Sequence, residues 1–446
     1  MDTVHLDAVT ARLKRTVLQL PAPVLRGRVK QVLGTLIEGQ AAGACVGELC
    51  ELRLSDEPTD CMLAEVVGFN GSNVLLSALE ALEGVSPATE IRPLGTRHSI
   101  PVGPELFGRV LDGFGRPLDG KPLPPIQQVV PAIRDAPPPT ERPRITQPFA
   151  TGVRAIDGLI TLGYGQRVGV FAGPGCGKTT LLAAIARGAA VDAVVFGLIG
   201  ERGRELREFL EHEMDETLVA KSVLVCATSD RTSMERARAA FTATAVAEGL
   251  RDQGYRVLLL IDSLTRFGRA QREIGLAAGE PPTRGGFPPS VYTLLPRLIE
   301  RAGNTQQGSI TAIYTVLAES EGPADPLGEE AKSLLDGHIV LPRKLAEQGH
   351  YPAIDVLASL SRIMDNIVPK QQVSAARKLR QWLAQYRELE LLIRLGEYRA
   401  GQDAASDQAV QMQPALKSWL QQDTRDTSPF EKTCTQLASL SSGNGT

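Results

Sequence analysis

The chain has 446 residues, 43% of them hydrophobic and 22% charged, which suits a globular protein of two or three cores and not a disordered or fibrous one. Its formal net charge of −3 argues against a protein held mainly to nucleic-acid phosphates, because such partners select strongly basic domains. Six cysteines, at 45, 50, 61, 176, 226 and 434, show neither Cys-x-x-Cys spacing nor neighbouring histidines, so no zinc site or secreted disulfide framework is expected. No run approaches the roughly eighteen apolar residues of a membrane span, and no signal-type N-terminus is present, so the sequence reads as cytoplasmic.

At the start of the chain Leu6, Val9, Leu13 and Val17 recur at helical spacing, with Arg12, Lys14 and Arg15 between them. That pattern predicts an amphipathic helical segment over 1–26, suited to a membrane, a partner or its own domain. From 27 to 97 the runs are short and broken by glycine, as in Gln31–Ile37 and Asn73–Ser77, which predicts a small β-barrel. A barrel of that kind can bind single-stranded RNA through stacked aromatics, but Phe69 is the only aromatic residue before residue 98. The pattern therefore speaks against specific nucleic-acid binding.

A connection rich in proline follows (Pro137, Pro138, Pro139, Pro143, Pro148), where neither helix nor central strand can continue. Beyond it, strand-like runs at 166–172, 193–200, 222–228, 256–262 and 309–317 alternate with helical runs at 178–190 and 233–254. The alternation predicts a parallel sheet covered by helices, in a domain spanning 98–370. From 371 to 446 the chain reads helical, with Leu379, Leu383 and Tyr386 on one face, and its last six residues read as a disordered tail.

The most informative segment is Val168-Gly-Val-Phe171, Ala172-Gly-Pro-Gly-Cys-Gly177 and Lys178-Thr-Thr-Leu-Leu-Ala183, a strand, a glycine-rich loop and a helix start in succession. Such a loop brings backbone N–H groups against phosphate oxygens, and the helix N-terminus adds a favourable dipole. Gly173, Gly175, Cys176, Gly177, Lys178, Thr179 and Thr180 are the expected nucleotide contacts. Lys178 would reach the β- and γ-phosphates and Thr179 would ligate Mg²⁺. The first glycine of the motif is Ala172 here, which removes one backbone freedom and leaves three glycines in place. Cys176 reads as a small filler of the loop.

Two further elements belong to the same chemistry. Asp262 ends the apolar run Val257–Ile261, where an acid can orient Mg²⁺ or its water, or can cap the following helix. Gly200-Glu-Arg-Gly-Arg-Glu205 follows strand 193–199. Glu201 is placed there to serve the attacking water and Arg202 to contact γ-phosphate oxygens, unless both are merely the charged end of a strand.

With these residues in view, Gly200-Glu-Arg202, Leu260–Arg266, Ser309–Ile313 and Tyr351-Pro-Ala-Ile-Asp355 resemble the catalytic β subunit of rotary ATP synthases in order and spacing. Gly108–Pro117, Thr151–Asp157, Gly285–Val291 and Asp336–Val340 resemble more closely the ATPases of bacterial type III secretion and flagellar export. Within that group Thr228–Arg231 and Arg284–Pro289 look more like the injectisome enzymes than the flagellar ones.

The resemblance implies an α/β fold in which a P-loop NTPase core with a mainly parallel sheet follows a small N-terminal β-barrel and precedes a helical C-terminal domain. It implies a homohexamer with ATP between subunits, Glu201 as catalytic carboxylate, Asp262 in the Mg²⁺ shell, Tyr351 on the adenine wall and Arg362 as arginine finger. It also places the glycine- and proline-rich loop 277–286 toward the pore of the ring. The implied function is ATP-driven release of chaperones and unfolding of substrates at the export gate of the inner membrane, with stator and central-stalk proteins as partners. A flagellar export ATPase, an RNA-translocating hexamer and a regulatory subunit without catalysis are the competing readings, and Glu201 counts against the last.

Overall fold

A computed structural model describes residues 26–317 and 325–443, apart from 56, 58 and 59, and the statements below concern those residues. The amphipathic segment expected over 1–26 lies almost wholly outside them. The chain divides into two compact units, with the boundary between Arg97 and His98.

In the first unit six strands close a barrel in the order β1-β2-β5-β4-β3-β6: β1 Gly27–Leu33, β2 Leu36–Gly39, β3 Glu48–Arg53, β4 Cys61–Asn70, β5 Asn73–Ala78 and β6 Glu90–Arg97. Its interior follows the period of two that a pleated strand imposes. Cys50 and Leu52 point inward from β3, Met62, Ala64 and Val66 from β4, and Val74, Leu76 and Ala78 from β5. Register shifts at Val29/Gln31, Glu48/Cys50 and Val66/Gly68 supply the bends that closure requires.

In the second unit the main sheet is built from β7 Val110–Leu111, β8 Arg167–Ala172, β9 Ala193–Ile199, β10 Ser222–Ala227, β11 Arg256–Asp262, β12 Ser309–Leu317, β13 Gly337–Leu341 and β14 Leu360–Ser361. They lie in the order β14-β13-β8-β12-β11-β9-β10-β7, and a further short strand, Gly303–Asn304, pairs with β12. From β13 to β7 the neighbours run parallel, while β14 is antiparallel to β13. The five strands expected from sequence form the middle of this sheet. Every residue of β9 and β10 is buried, as the near-continuous apolar runs of a sheet covered on both faces require.

Helices follow the strands: α1 Arg154–Leu159, α2 Lys178–Gly188, α3 Gly203–His212, α4 Ser233–Asp252, α5 Leu264–Ala277 and α6 Pro289–Ile299. Thr232 caps α4, its hydroxyl accepting from the Glu235 amide at 3.1 Å. Glu248, fully buried on α4, is paired with Arg301 and with Arg134, as a buried charge must be.

The C-terminal part is helical, with α7 Lys370–Leu395, α8 Ala404–Leu420 and α9 Phe430–Ser441. Leu379 is buried, and Leu383 and Tyr386 pack beside it in the same cluster as Val168, Leu182 and Trp419. At Gly158 of α1 a Cβ would meet the Trp419 ring at 2.7 Å, so only glycine admits that indole. Helix α9 runs on to Ser441, into the stretch expected to be a disordered tail, and 444–446 lie outside the described residues. Among the described residues no helix is long and apolar enough to cross a membrane.

Candidate active site

The loop 172–177 joins the end of β8 to the start of α2. Gly175 and Gly177 adopt φ of +77° and +78°, a region that side chains avoid, so glycine is required at both. Among the described residues no non-glycine residue has positive φ, hence Ala172 ends β8 without strain where the motif has its first glycine. Cys176 is buried, as a filler would be.

Lys178 opens α2, and its Nζ lies 2.5 Å from Asp262 Oδ1 and 3.9 Å from Glu201 Oε1. Asp262 ends β11 and is 1% exposed. Ser263, not Asp262, caps α5, its hydroxyl accepting from the Arg266 amide at 3.3 Å. The Asp262 carboxylate is thereby left to the site, where Thr315 of β12 donates to Oδ1 at 2.7 Å. Its other oxygen, Oδ2, is buried without a hydrogen-bond partner.

Glu201 follows β9, and Arg266 of α5 pairs with its Oε1 at 2.6 Å. Burial pushes the Glu201 carboxyl above its ordinary value; Glu205 and Asp262 add to the rise and Arg266 opposes it. Thr179, Glu201, Glu205 and Asp262 line an open cavity of 340 Å³ together with Leu206 and Phe209. Arg202 does not enter it. Its guanidinium is 80% exposed and pairs with Glu205 at 2.9 Å.

A second cavity, also of 340 Å³, lies on the other flank of the phosphate loop. Gly175, Cys176, Gly177 and Thr180 form its floor, and Tyr351, Pro352 and Gln422 its wall. Apolar surface and a half-exposed aromatic ring suit a planar base, while the acid-lined cavity suits the reacting end of a triphosphate. The loop with Lys178 lies between the two.

Arg362 stands apart from this constellation. It follows β14 and is exposed; its amide donates to Asp336 O at 3.0 Å, and the Asp336 amide donates to Arg167 O at 2.9 Å. Arg167 begins β8 and Ala172 ends it, so Arg362 and the phosphate loop leave opposite ends of one strand, about 17 Å apart at the usual rise per residue.

Arg266, Thr315 and Gln422 were not singled out from sequence. Arg266 falls one helical turn after Asp262, which is a usable signal, whereas Thr315 is one of four hydroxyl residues in β12, with Ser309, Thr311 and Tyr314, and nothing in the sequence sets it apart. Gln422 is distant in sequence and had none.

Loop, lysine and paired acids at the carboxyl ends of a parallel sheet define a P-loop nucleotide-hydrolysing core. Comparison with known proteins makes the assignment specific. Residues 152–361 match the nucleotide-binding domain of the ATP synthase alpha/beta family, 29–95 that family's beta-barrel domain, and 368–439 the C-terminal domain of the type III secretion ATPase EscN. The type 3 secretion system ATPase of Pseudomonas syringae pv. tomato is 58% identical over 98% of this chain and 97% of its own. The flagellum-specific ATP synthase of Bacillus subtilis is 44% identical over 93% of this chain and 94% of its own. The assembled EscN ATPase of enteropathogenic E. coli superposes with a TM-score of 0.88 at 46% identity, over 93% of this chain and 100% of that one. The chain belongs to the type 3 secretion system ATPases.

Proposed function

We propose that this ATPase hydrolyses Mg²⁺-bound ATP at sites shared between neighbouring copies in a homohexameric ring. The observation that carries the reading is the position of Arg362 at the end of β8 opposite the phosphate loop. A chain with a site on one side and its complement on the other makes head-to-tail contacts, which close into rings when the rotation permits. EscN, similar over 93% of this chain, has been solved in an assembled form and with its central stalk EscO, which supports a ring and a stalk partner here.

Each residue then has a defined task. Backbone amides at Gly173, Gly175 and Gly177 and the Lys178 ammonium bind phosphate oxygens, and Tyr351 covers the base. Glu201 accepts a hydrogen bond from the attacking water and takes its proton as the oxygen bonds to the γ-phosphorus, while the bond from that phosphorus to the β,γ-bridging oxygen breaks and ADP leaves with its electron pair. Arg362 of the next copy donates to the γ-phosphoryl oxygens as charge gathers there. Thr179 and Asp262 would hold Mg²⁺; they line one cavity, and the unpartnered buried Oδ2 of Asp262 fits that role. The ion supplies charge neutralisation at the β- and γ-phosphates. Arg202, exposed as it is, has no such task within one copy.

At the level of the cell, the ring would act at the cytoplasmic face of the inner membrane. It would free secreted substrates from their chaperones and unfold them for the export gate, held by stator and stalk proteins. The relatives named for type III secretion support this reading over flagellar duty, since they reach 58% identity against 44–45% for the flagellar ones.

Complementation tests the shared site. Arg362→Ala and Lys178→Ala should each lose turnover, the former by about 10³-fold or more. Mixed rings should recover part of it, since some interfaces join an intact loop to an intact arginine. Absence of recovery in rings shown to be mixed would overturn the reading.

A further inference from the structure

The main chain at Arg362 is held by a polar network whose members make no contact with either cavity. β14 approaches β13 so closely that a Cβ at Gly337 would lie 2.6 Å from Leu360 O. Glycine at 337 therefore permits the register Gly337↔Ser361, which brings the Arg362 amide onto Asp336 O. Gln166, fully buried, donates to the same carbonyl at 3.1 Å and to Ser361 Oγ at 3.2 Å.

The Asp336 carboxylate is in turn chelated. Arg167 donates to it from Nε at 3.0 Å, from Nη2 at 3.2 Å and from its backbone amide at 3.1 Å. The remaining nitrogen, Nη1, lies 2.5 Å from Glu300 Oε1, an ion pair without the alignment of a hydrogen bond. Glu300 also receives Arg142 Nη1 at 2.6 Å. A carboxylate at the C-terminal end of α6 is unfavourable to the helix dipole, and the two guanidiniums offset that cost. Burial pushes the Glu300 carboxyl up, but Arg142 and Arg167 outweigh it and hold it below its ordinary value.

Among the described residues the Arg362 side chain makes one long hydrogen bond, Nη2 to Lys332 O at 3.5 Å. Where its guanidinium can reach is thus set by its main chain, and the main chain by Asp336. We propose that Arg167 and Asp336 are positioning residues for Arg362, fixing the point from which it reaches the nucleotide of the neighbouring copy. The inference rests on the shared-site reading above. A displacement of about 1 Å at a group that stabilises a transition state can cost about 100-fold in rate.

The test is a mixed-ring assay on the full chain. Asp336→Asn removes the charge from the pair but keeps its shape, and its phosphate loop is intact. Alone, it should assemble and bind a fluorescent ATP analogue as the parent does, with kcat lower by about 100-fold and KM nearly unchanged. Mixed with Lys178→Ala copies, whose Arg362 is intact, it should regain turnover as Arg362→Ala does. A kcat near the parent's overturns the proposal. So does a loss that Lys178→Ala copies do not rescue although they rescue Arg362→Ala. Failure to rescue Arg362→Ala itself is a separate result, and it removes the shared-site reading first. Arg167→Lys keeps one charge but cannot chelate the carboxylate. It should show a smaller loss with the same rescue, and it decides the matter where Asp336→Asn does not fold.

Discussion

Arg266 Nη1 lies 2.6 Å from Glu201 Oε1, in the first turn of the helix that Ser263 joins to the Asp262 strand. The pair opposes the rise that burial imposes on the carboxylate proposed to serve the attacking water. Burial raises Glu201 above its ordinary 4.5 and Arg266 lowers it again. Turnover requires the ionised form, so kcat should fall as pH drops through that raised value, above the ordinary glutamate one. Arg266→Gln withdraws the lowering influence and should move this acid limb to still higher pH. Glu201→Gln should retain ATP, turn over very slowly and lose the limb altogether. A kcat profile at saturating ATP checks all three, and a limb that stays in place or moves down in Arg266→Gln would contradict the assignment.

Tyr351 stands over the phosphate loop, its ring 3.6 Å from where a Cβ on Gly177 would be. An aromatic face in contact with a base contributes on the order of 1 kcal/mol beyond its buried area. Tyr351→Ala should therefore raise KM for ATP by about 10-fold with kcat little changed. An equal fall in kcat at constant KM would place the ring in the chemical step. Gly177→Ala should be far more damaging, because φ there is +78°, a region that side chains avoid.

Much of the central sheet was legible because its strands are unbroken apolar runs that can only be buried on both faces. The phosphate loop was legible because its flanks confirm it. β7 and β14 were not, since two residues at the sheet margin carry no period. β13 alternates buried with half-buried residues over five positions, too short a stretch to declare itself. Glu201, Asp262 and Lys178 could be chosen from chain position, whereas Arg266 and Thr315 became visible only when folding brought them to those acids. Arg202 shows the converse: adjacent to Glu201 in sequence, it points away, because its backbone is the extended N-cap of α3. The roles of Tyr351 and Arg362 came from family resemblance, as neither position has a local pattern of its own.

Arg284 lies in the loop between α5 and α6, in a short turn where Gly285 and Gly286 have φ of +65° and +75°. The turn is anchored through its backbone, Tyr292 Oη donating to Arg284 O at 2.7 Å, while the Arg284 residue is exposed. Replacing the side chain should thus leave the turn intact. Arg284→Ala should impair secretion by the parent bacterium while ATP binding and Tm of the purified protein stay near those of the parent. Loss of binding and export together would indicate a folding role for this arginine.

The last expectation concerns stability. Asp157 on α1 is fully buried and accepts from Thr151 N at 2.8 Å, Thr151 Oγ1 at 2.6 Å and Gly152 N at 3.0 Å. Burial outweighs these three donors and pushes its carboxyl up to about 6, from an ordinary 3.8. Between those two values the folded protein holds a proton that the unfolded chain has released. Stability contributed by Asp157 is therefore fullest at low pH and declines as pH rises through the window, by up to about 3 kcal/mol once both forms are ionised. Asp157→Asn cannot titrate. Its amide also faces the Gly152 donor, which adds a destabilisation that does not vary with pH. The difference in Tm between parent and variant, measured from about pH 4 to pH 7, should accordingly shrink as pH rises and level off above the folded value. A difference that is flat across this range, or that widens with rising pH, would show that the donors from Thr151 and Gly152 prevail over burial and keep Asp157 ionised in the folded protein.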